Sequence, residues 1–260
     1  MKNLLLSGAC AIALAFVSPA MAASIGNVVL TGHDNDLHRD PGAINATTAE
    51  LKFVRAGSTL PVLIIDNGSQ ATTIVNTILG VGHQVTKTVG AITAADFDPT
   101  VYSAFMVASV STCGGCDNPV GTGTALHAFQ VAINAFFNAG RGILGETSAT
   151  DNNGFAYVPQ VATSTPIANS NGFVATANGL ADLGSPYQAV NGDPTHNTFV
   201  SGLSAYKVAE TLGVGGTPVT IYASGTIVGT TIVPTPEPMS LALLGAGLFG
   251  LGAVRRLRRS

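Results

Sequence analysis

Residues 60–68 read LPVLIIDNG: a run of apolar side chains from Leu60 to Ile65, then Asp66, Asn67 and Gly68. The run does not alternate. A strand of this kind has both faces covered, as in the interior of a parallel sheet. The polar residues that follow mark its carboxyl end. This one segment points to an α/β protein, and the neighbouring segments are read against it.

Upstream, NVVLTGHD (27–34) is a second strand with a polar ending, and TTAELKFVRAG (47–57) has helical spacing closed by Gly57. Downstream, QATTIVNTILGVG (70–82) reads as a helix, HQVTKT (83–88) as a short strand and YSAFMVAS (102–109) as a buried strand. TALHAFQVAINAFFNAG (124–140), apolar at every third or fourth position, is the best helix, and the strand of GRGILGETSA (140–149) follows it. Strands alternating with helices predict a flavodoxin-like, doubly wound, mainly parallel sheet with helices on both faces. Beyond residue 150 the pattern is weaker. TPVTIYASGTIVGTTIV (217–233) predicts a C-terminal β-hairpin turning at Ser224-Gly225.

Composition sets the class. Of 260 residues, 46% are hydrophobic and only 10% charged, with 31 glycines and no tryptophan. This is an unusual balance for a cytosolic enzyme and suits an exported chain. The N-terminus agrees. Lys2, an apolar stretch from Leu4 to Val17 and the small-residue site Ala20-Met21-Ala22 form a secretory signal peptide over 1–22, cut by signal peptidase. Cys10 sits too early in the apolar run to be a lipidation site.

The other end, VPTPEPMSLALLGAGLFGLGAVRRLRRS (233–260), has 16 uncharged residues from Met239 to Val254, then Arg255, Arg256, Arg258 and Arg259. A bilayer-spanning helix needs about 20 apolar residues, with a lower limit near 17. The arginines can snorkel to extend the run, and they hold that end in the cytoplasm. The Pro-rich stretch 233–238 is an extended linker between a domain over 23–232 and a single short helix in 239–260. Pro236-Glu237-Pro238, the apolar helix and the Arg cluster, in this order, resemble the PEP-CTERM sorting signal. That resemblance implies an exosortase as partner and an inner-membrane intermediate. It further implies cleavage near the motif, then release to the cell surface or an exopolysaccharide matrix. Between the signal peptide and the apolar run that starts at Met239, six basic residues stand against fourteen acidic ones, a net charge of −8. Nucleic acid is therefore not an expected partner.

In a doubly wound sheet, ligands bind at the carboxyl ends of the strands where strand order reverses. The expected crevice wall is His33, Asp34, Asp36 and His38 from HDNDLHRD, with Asp66 after the second strand and Glu146 after GILG. The loop around His33, Asp36 and His38 has two readings. It is either a set of backbone caps or ligands for a divalent cation, the one cofactor considered. Cys113 and Cys116 in STCGGC, in an oxidising compartment and separated by two glycines, are expected to form a disulfide. His196 in DPTHN is expected to be a turn residue, and His83 and His127 carry no chemistry.

NAGRGILGETSATD (138–151) resembles the key turn of ThuA-like domains, a branch of the class I glutamine amidotransferase-like fold. VVLTGHD, VLIID and DPTHNTFVSGLSAYKVAET are compatible with it. In that family the turn carries a cysteine or a histidine; here it carries Glu146, the candidate catalytic residue. Two function classes follow. One is a non-catalytic surface or matrix protein. The other is an extracytoplasmic hydrolase or sugar-processing enzyme using the crevice.

Overall fold

A computed structural model describes residues 26–110, 115–149, 151, 153–159 and 162–224. The signal peptide, the linker, the apolar tail and Cys113 lie outside the described residues, so the expectations placed on them do too. Among the described residues no helix is long and apolar enough to cross a membrane.

The first half alternates as expected. β1 (Asn27–Thr31), α1 (Pro41–Arg55), β2 (Val62–Ile65), α2 (Gln70–Leu79), β3 (Gln84–Lys87), β4 (Ala104–Val107), α3 (Thr122–His127), α4 (Gln130–Asn138) and β5 (Gly142–Gly145) follow in order. Helix α1 begins before the apolar periodicity does. Asp40 Oδ1 accepts from the Ala43 N–H at 2.8 Å and Pro41 opens the first turn, a capped start of the usual kind. The expected long helix over 124–140 is two helices. The break after His127 comes where its Nδ1 meets the Ala156 carbonyl at 2.8 Å and where Phe129 joins the ring of Phe97.

The second half adds β6 (Thr163–Asn169), β7 (Phe173–Ala175), α5 (Ala177–Asp182), β8 (Thr195–Ser201), β9 (Lys207–Leu212) and β10 (Thr217–Ser224). Eight strands form one mostly parallel sheet in the order β3-β2-β4-β5-β1-β10-β9-β7; β6 and β8 form a separate antiparallel pair. The five strands from β3 to β1 are parallel, and β10, β9 and β7 extend the sheet antiparallel. The architecture is α/β and consistent with a flavodoxin-like fold, with the N-terminal strand placed beyond β5. Strand β10 pairs with β1 on one edge and with β9 on the other. The second strand of the expected C-terminal hairpin, over residues 225–233, lies outside the described residues.

Strand β2 behaves as its sequence requires: Val62, Leu63, Ile64 and Ile65 are all fully buried. Val62 and Ile64 face α1 and α2 in a core with Leu51, Val54, Ile74 and Val75. Leu63 and Ile65 face the opposite core, with Phe97, Phe105, Ile133 and Phe136. Each such side chain contributes about 1.5–3 kcal/mol by leaving water. α1 and α2 serve the connections that run one way along the sheet. α3 and α4 serve the return, on the other face, as right-handed crossovers demand. Strand order therefore reverses between β2 and β4.

Candidate functional site

Segments following β1, β2, β4 and β5 meet at the carboxyl edge of the parallel strands, and the expected wall residues arrive with them. The edge is not an open crevice. His33, Asp34, Asp36, Asp66 and Glu146 are all buried. The gap between β2 and β4 is filled by Asn118. Its Nδ2 donates to the Ile65 and Ala108 carbonyls at 2.9 Å each, and its Oδ1 accepts from the Asn67 N–H at 3.1 Å. Asp117 Oδ2 accepts from the N–H groups of Ser69 and Gln70 at the start of α2. The segment after β4 thus stoppers the switch point.

Most wall residues serve the fold. Asp66 accepts from the Gly68 and Ala71 N–H groups at 2.8 and 3.1 Å; burial still raises its carboxyl above the usual range. Asp36 accepts from Ser109 through both the N–H (2.9 Å) and the hydroxyl (2.5 Å), tying the loop after β1 to the end of β4. Burial lifts its pKa to about 6 against those bonds. His33 Nε2 lies 3.0 Å from Glu210 Oε2, an ion-pair geometry sealed by Phe173, whose ring meets the imidazole edge-on at 4.7 Å. Glu210 also accepts from the Val190 N–H and the Thr220 hydroxyl.

Glu146 occupies the turn after β5 as expected. Among the described residues its carboxyl oxygens make no close hydrogen bond, and only the Asn35 backbone N–H approaches to favour the ionised form. Burial, then the charges of Asp36, Glu50 and Asp34, hold its pKa well above the ordinary carboxyl value. Burial and like charges thus favour the neutral form of this carboxyl over the ionised form that a base needs. Glu50, on the sheet-facing side of α1, is raised to about 8 by burial and by Glu210.

The accessible part of the site is elsewhere. His38 Nε2 and His196 Nε2 each lie 3.3 Å from the same oxygen, Oδ2 of Asp34. The imidazoles are 35% and 19% exposed while Asp34 is fully buried, so two solvent-reaching rings converge on one buried carboxylate. On its other side His38 Nδ1 faces Asp193 Oδ1 at 3.8 Å. Cys116 Sγ is 3.8 Å from the same Asp34 oxygen. Asp34 Oδ1 is buried without a partner among the described residues.

Backbone geometry delivers His196. The His196 N–H donates to the Gly32 carbonyl at 2.8 Å, and His33 bridges Thr195. This contact requires glycine: a Cβ on Gly32 would sit 1.9 Å from the Asn197 carbonyl oxygen. Asn197 then donates to the Ala149 carbonyl and accepts from the Thr147 hydroxyl, fixing the turn after Glu146 to β8.

The three metal candidates do not come together. His33 goes to Glu210, Asp36 to Ser109 and His38 to Asp34. Among the described residues no group of three or more His, Cys, Asp or Glu side chains is arranged to hold a metal ion. His196, expected to be a turn residue, is instead in β8 and at the site. Glu50 and Glu210 were outside the expected set altogether. No local signal marks these three, because their partners lie far away in the chain. The chain matches no described protein family, no curated protein and no solved structure, so its site is read from its own geometry.

Proposed function

We propose that this is an exported surface or extracellular-matrix protein, sorted through its C-terminal tail by an exosortase and non-catalytic at the Glu146 turn. One observation carries the reading: Pro236-Glu237-Pro238, sixteen uncharged residues and the cluster Arg255, Arg256, Arg258 and Arg259 stand in that order behind an N-terminal signal peptide. In this reading the apolar tail is a short helix that holds the chain in the inner membrane until processing. The domain over 23–232 is a ThuA-like module without the reactive side chain of its turn, placed among exopolysaccharide. The burial of Glu146, which pushes its carboxyl toward the neutral form, and the stoppered switch point support a structural role for that edge.

The test is to replace Pro236, Glu237 and Pro238 together by Ala in a host that carries the exosortase. The variant is expected to stay in the inner-membrane fraction while the wild type reaches the surface or the medium. Equal release of both contradicts the proposal.

A second reading, an extracytoplasmic hydrolase or sugar-processing enzyme, is favoured by the convergence of His38 and His196 on Asp34. A buried carboxylate orients imidazoles for proton transfer. Turnover of a glycoside or ester substrate, abolished in both His38→Ala and His196→Ala while folding is retained, would establish it. Turnover that survives both substitutions would dismiss it.

A further inference from the structure

At the opposite end of the parallel strands, a pocket of about 470 Å³ opens between the last turns of α1 and α2. Its volume lies within the range of about 300–1,000 Å³ typical of small-molecule sites. Lys52 and Arg55 line it from α1, His83 from the loop before β3, and no acidic residue contributes. Ile78 and Leu79 form an aliphatic wall, and Ser58 adds a hydroxyl.

The cations are notable for their scarcity elsewhere. Of the six basic residues between the two signals, Lys87 is paired with Asp96 and Lys207 with Asp182. Arg39 donates to Gln70 and Arg141 to the Pro99 carbonyl. The remaining two, Lys52 and Arg55, share this pocket. Arg55 donates from Nε to Ser103 Oγ at 3.2 Å and from Nη2 to the Leu60 carbonyl at 3.2 Å, which fixes the guanidinium and leaves Nη1 without a partner among the described residues. Lys52 is exposed and has no acidic partner among the described residues.

A helix C-terminus attracts cations by itself, so the helix dipoles must be weighed first. Each of the two helix ends is equivalent to about −0.5 charge. Two such ends cancel about one of the two full positive charges, leaving the pocket near +1 in a domain of net charge −7. That surplus suits one negative charge. A compact dianion such as phosphate is disfavoured, because it prefers helix N-termini and here meets two C-termini. Ser58 Oγ already accepts from the Leu60 N–H at 3.3 Å, so its O–H is left to donate. A fixed guanidinium, a mobile ammonium, a hydroxyl donor and an aliphatic wall together match a carboxylate on a hydroxyl-bearing ring whose C–H face packs on Ile78 and Leu79.

We propose that the pocket framed by Lys52, Arg55, Ser58, His83, Ile78 and Leu79 binds the acidic sugar units of a uronate-type saccharide. This inference stands whether or not the tail is processed. The test uses the purified full chain and isothermal titration with trigalacturonate, with maltotriose as the neutral control and inorganic phosphate as the competing anion. Trigalacturonate is expected to bind saturably, at least about tenfold more tightly than maltotriose, a difference of about 1.4 kcal/mol. Raising salt from about 50 to about 500 mM should weaken binding, because the pocket is open and its charges are screened. Lys52→Glu, a change at an exposed position, should weaken it at least about tenfold, about 1.4 kcal/mol. Three results would overturn the proposal: no saturable binding at millimolar trigalacturonate, equal binding of maltotriose, or binding unaffected by Lys52→Glu. Phosphate binding more tightly than trigalacturonate would also overturn it, by showing a simple anion site.

Discussion

Nε2 of His196 lies 3.3 Å from Oδ2 of Asp34, a carboxylate 162 residues earlier in the chain. The pair staples the second half of the domain to the first. His38 shares the same oxygen from the near side. Hydrogen bonds to a buried charged group are worth about 1.5–3 kcal/mol. Asp34→Asn should therefore lower the unfolding free energy by about 1.5–3 kcal/mol. His38→Ala and His196→Ala should each lower it less, and their effects should not add. Urea denaturation of the two single variants and the double variant gives the coupling directly.

The buried carboxyls set the pH dependence. Glu50 is raised to about 8 and Asp36 to about 6, and Glu146 is raised well above its ordinary value, each chiefly by burial. Their unfolded values lie near about 4. Between those limits the folded protein binds more protons than the unfolded chain, so stability falls as pH rises. The contribution is fully present below about pH 4 and is lost as pH climbs through about 6 for Asp36 and about 8 for Glu50. The melting temperature should drop from pH 5 to pH 9, and Glu50→Gln should flatten that slope. A melting temperature that rises over this window would contradict the assignment.

Gly32 is where β8 passes against the segment after β1. Adding one methyl group in Gly32→Ala places a carbon 1.9 Å from a backbone oxygen, which has no side-chain freedom to yield. The expected loss is about 1–3 kcal/mol, with the largest increase in amide exchange at residues 195–197. Hydrogen exchange read by mass spectrometry checks both size and place.

Asn118 closes the gap between β2 and β4 with three hydrogen bonds. Asn118→Leu leaves two carbonyls and one N–H without that partner. Each buried group left unpaired costs about 1–3 kcal/mol. The variant should be destabilised by at least about 2 kcal/mol and should expose the switch point, seen as new binding of a hydrophobic dye.

What the sequence revealed follows the physics of burial. β1, β2, β4 and β5 were legible because strands covered on both faces show unbroken apolar runs, as LPVLIIDNG does. β8 was not, because Thr195, Asn197 and Thr198 are buried by hydrogen bonds rather than by apolar character. β6 was hidden by a largely exposed, polar strand that includes Pro166. The convergence of Asp34, Asp36, Asp66 and Glu146 on one edge was legible from the rule that polar residues follow each strand. Their burial was not, since Asn118 and Asp117 seal the edge from a loop with no apolar signal. Contacts such as His196 with Asp34, or Glu210 with His33, join positions far apart in the chain, and no local pattern carries them.

The central claim, export followed by tail processing, is tested most directly by the intact mass of the protein from its native host, with and without the exosortase. The account predicts a chain that begins after Ala22 and ends near Pro238 only when the exosortase is present. A mass that keeps the Arg255–Arg259 cluster in both strains would mean that the tail is a plain membrane anchor, and would contradict the account.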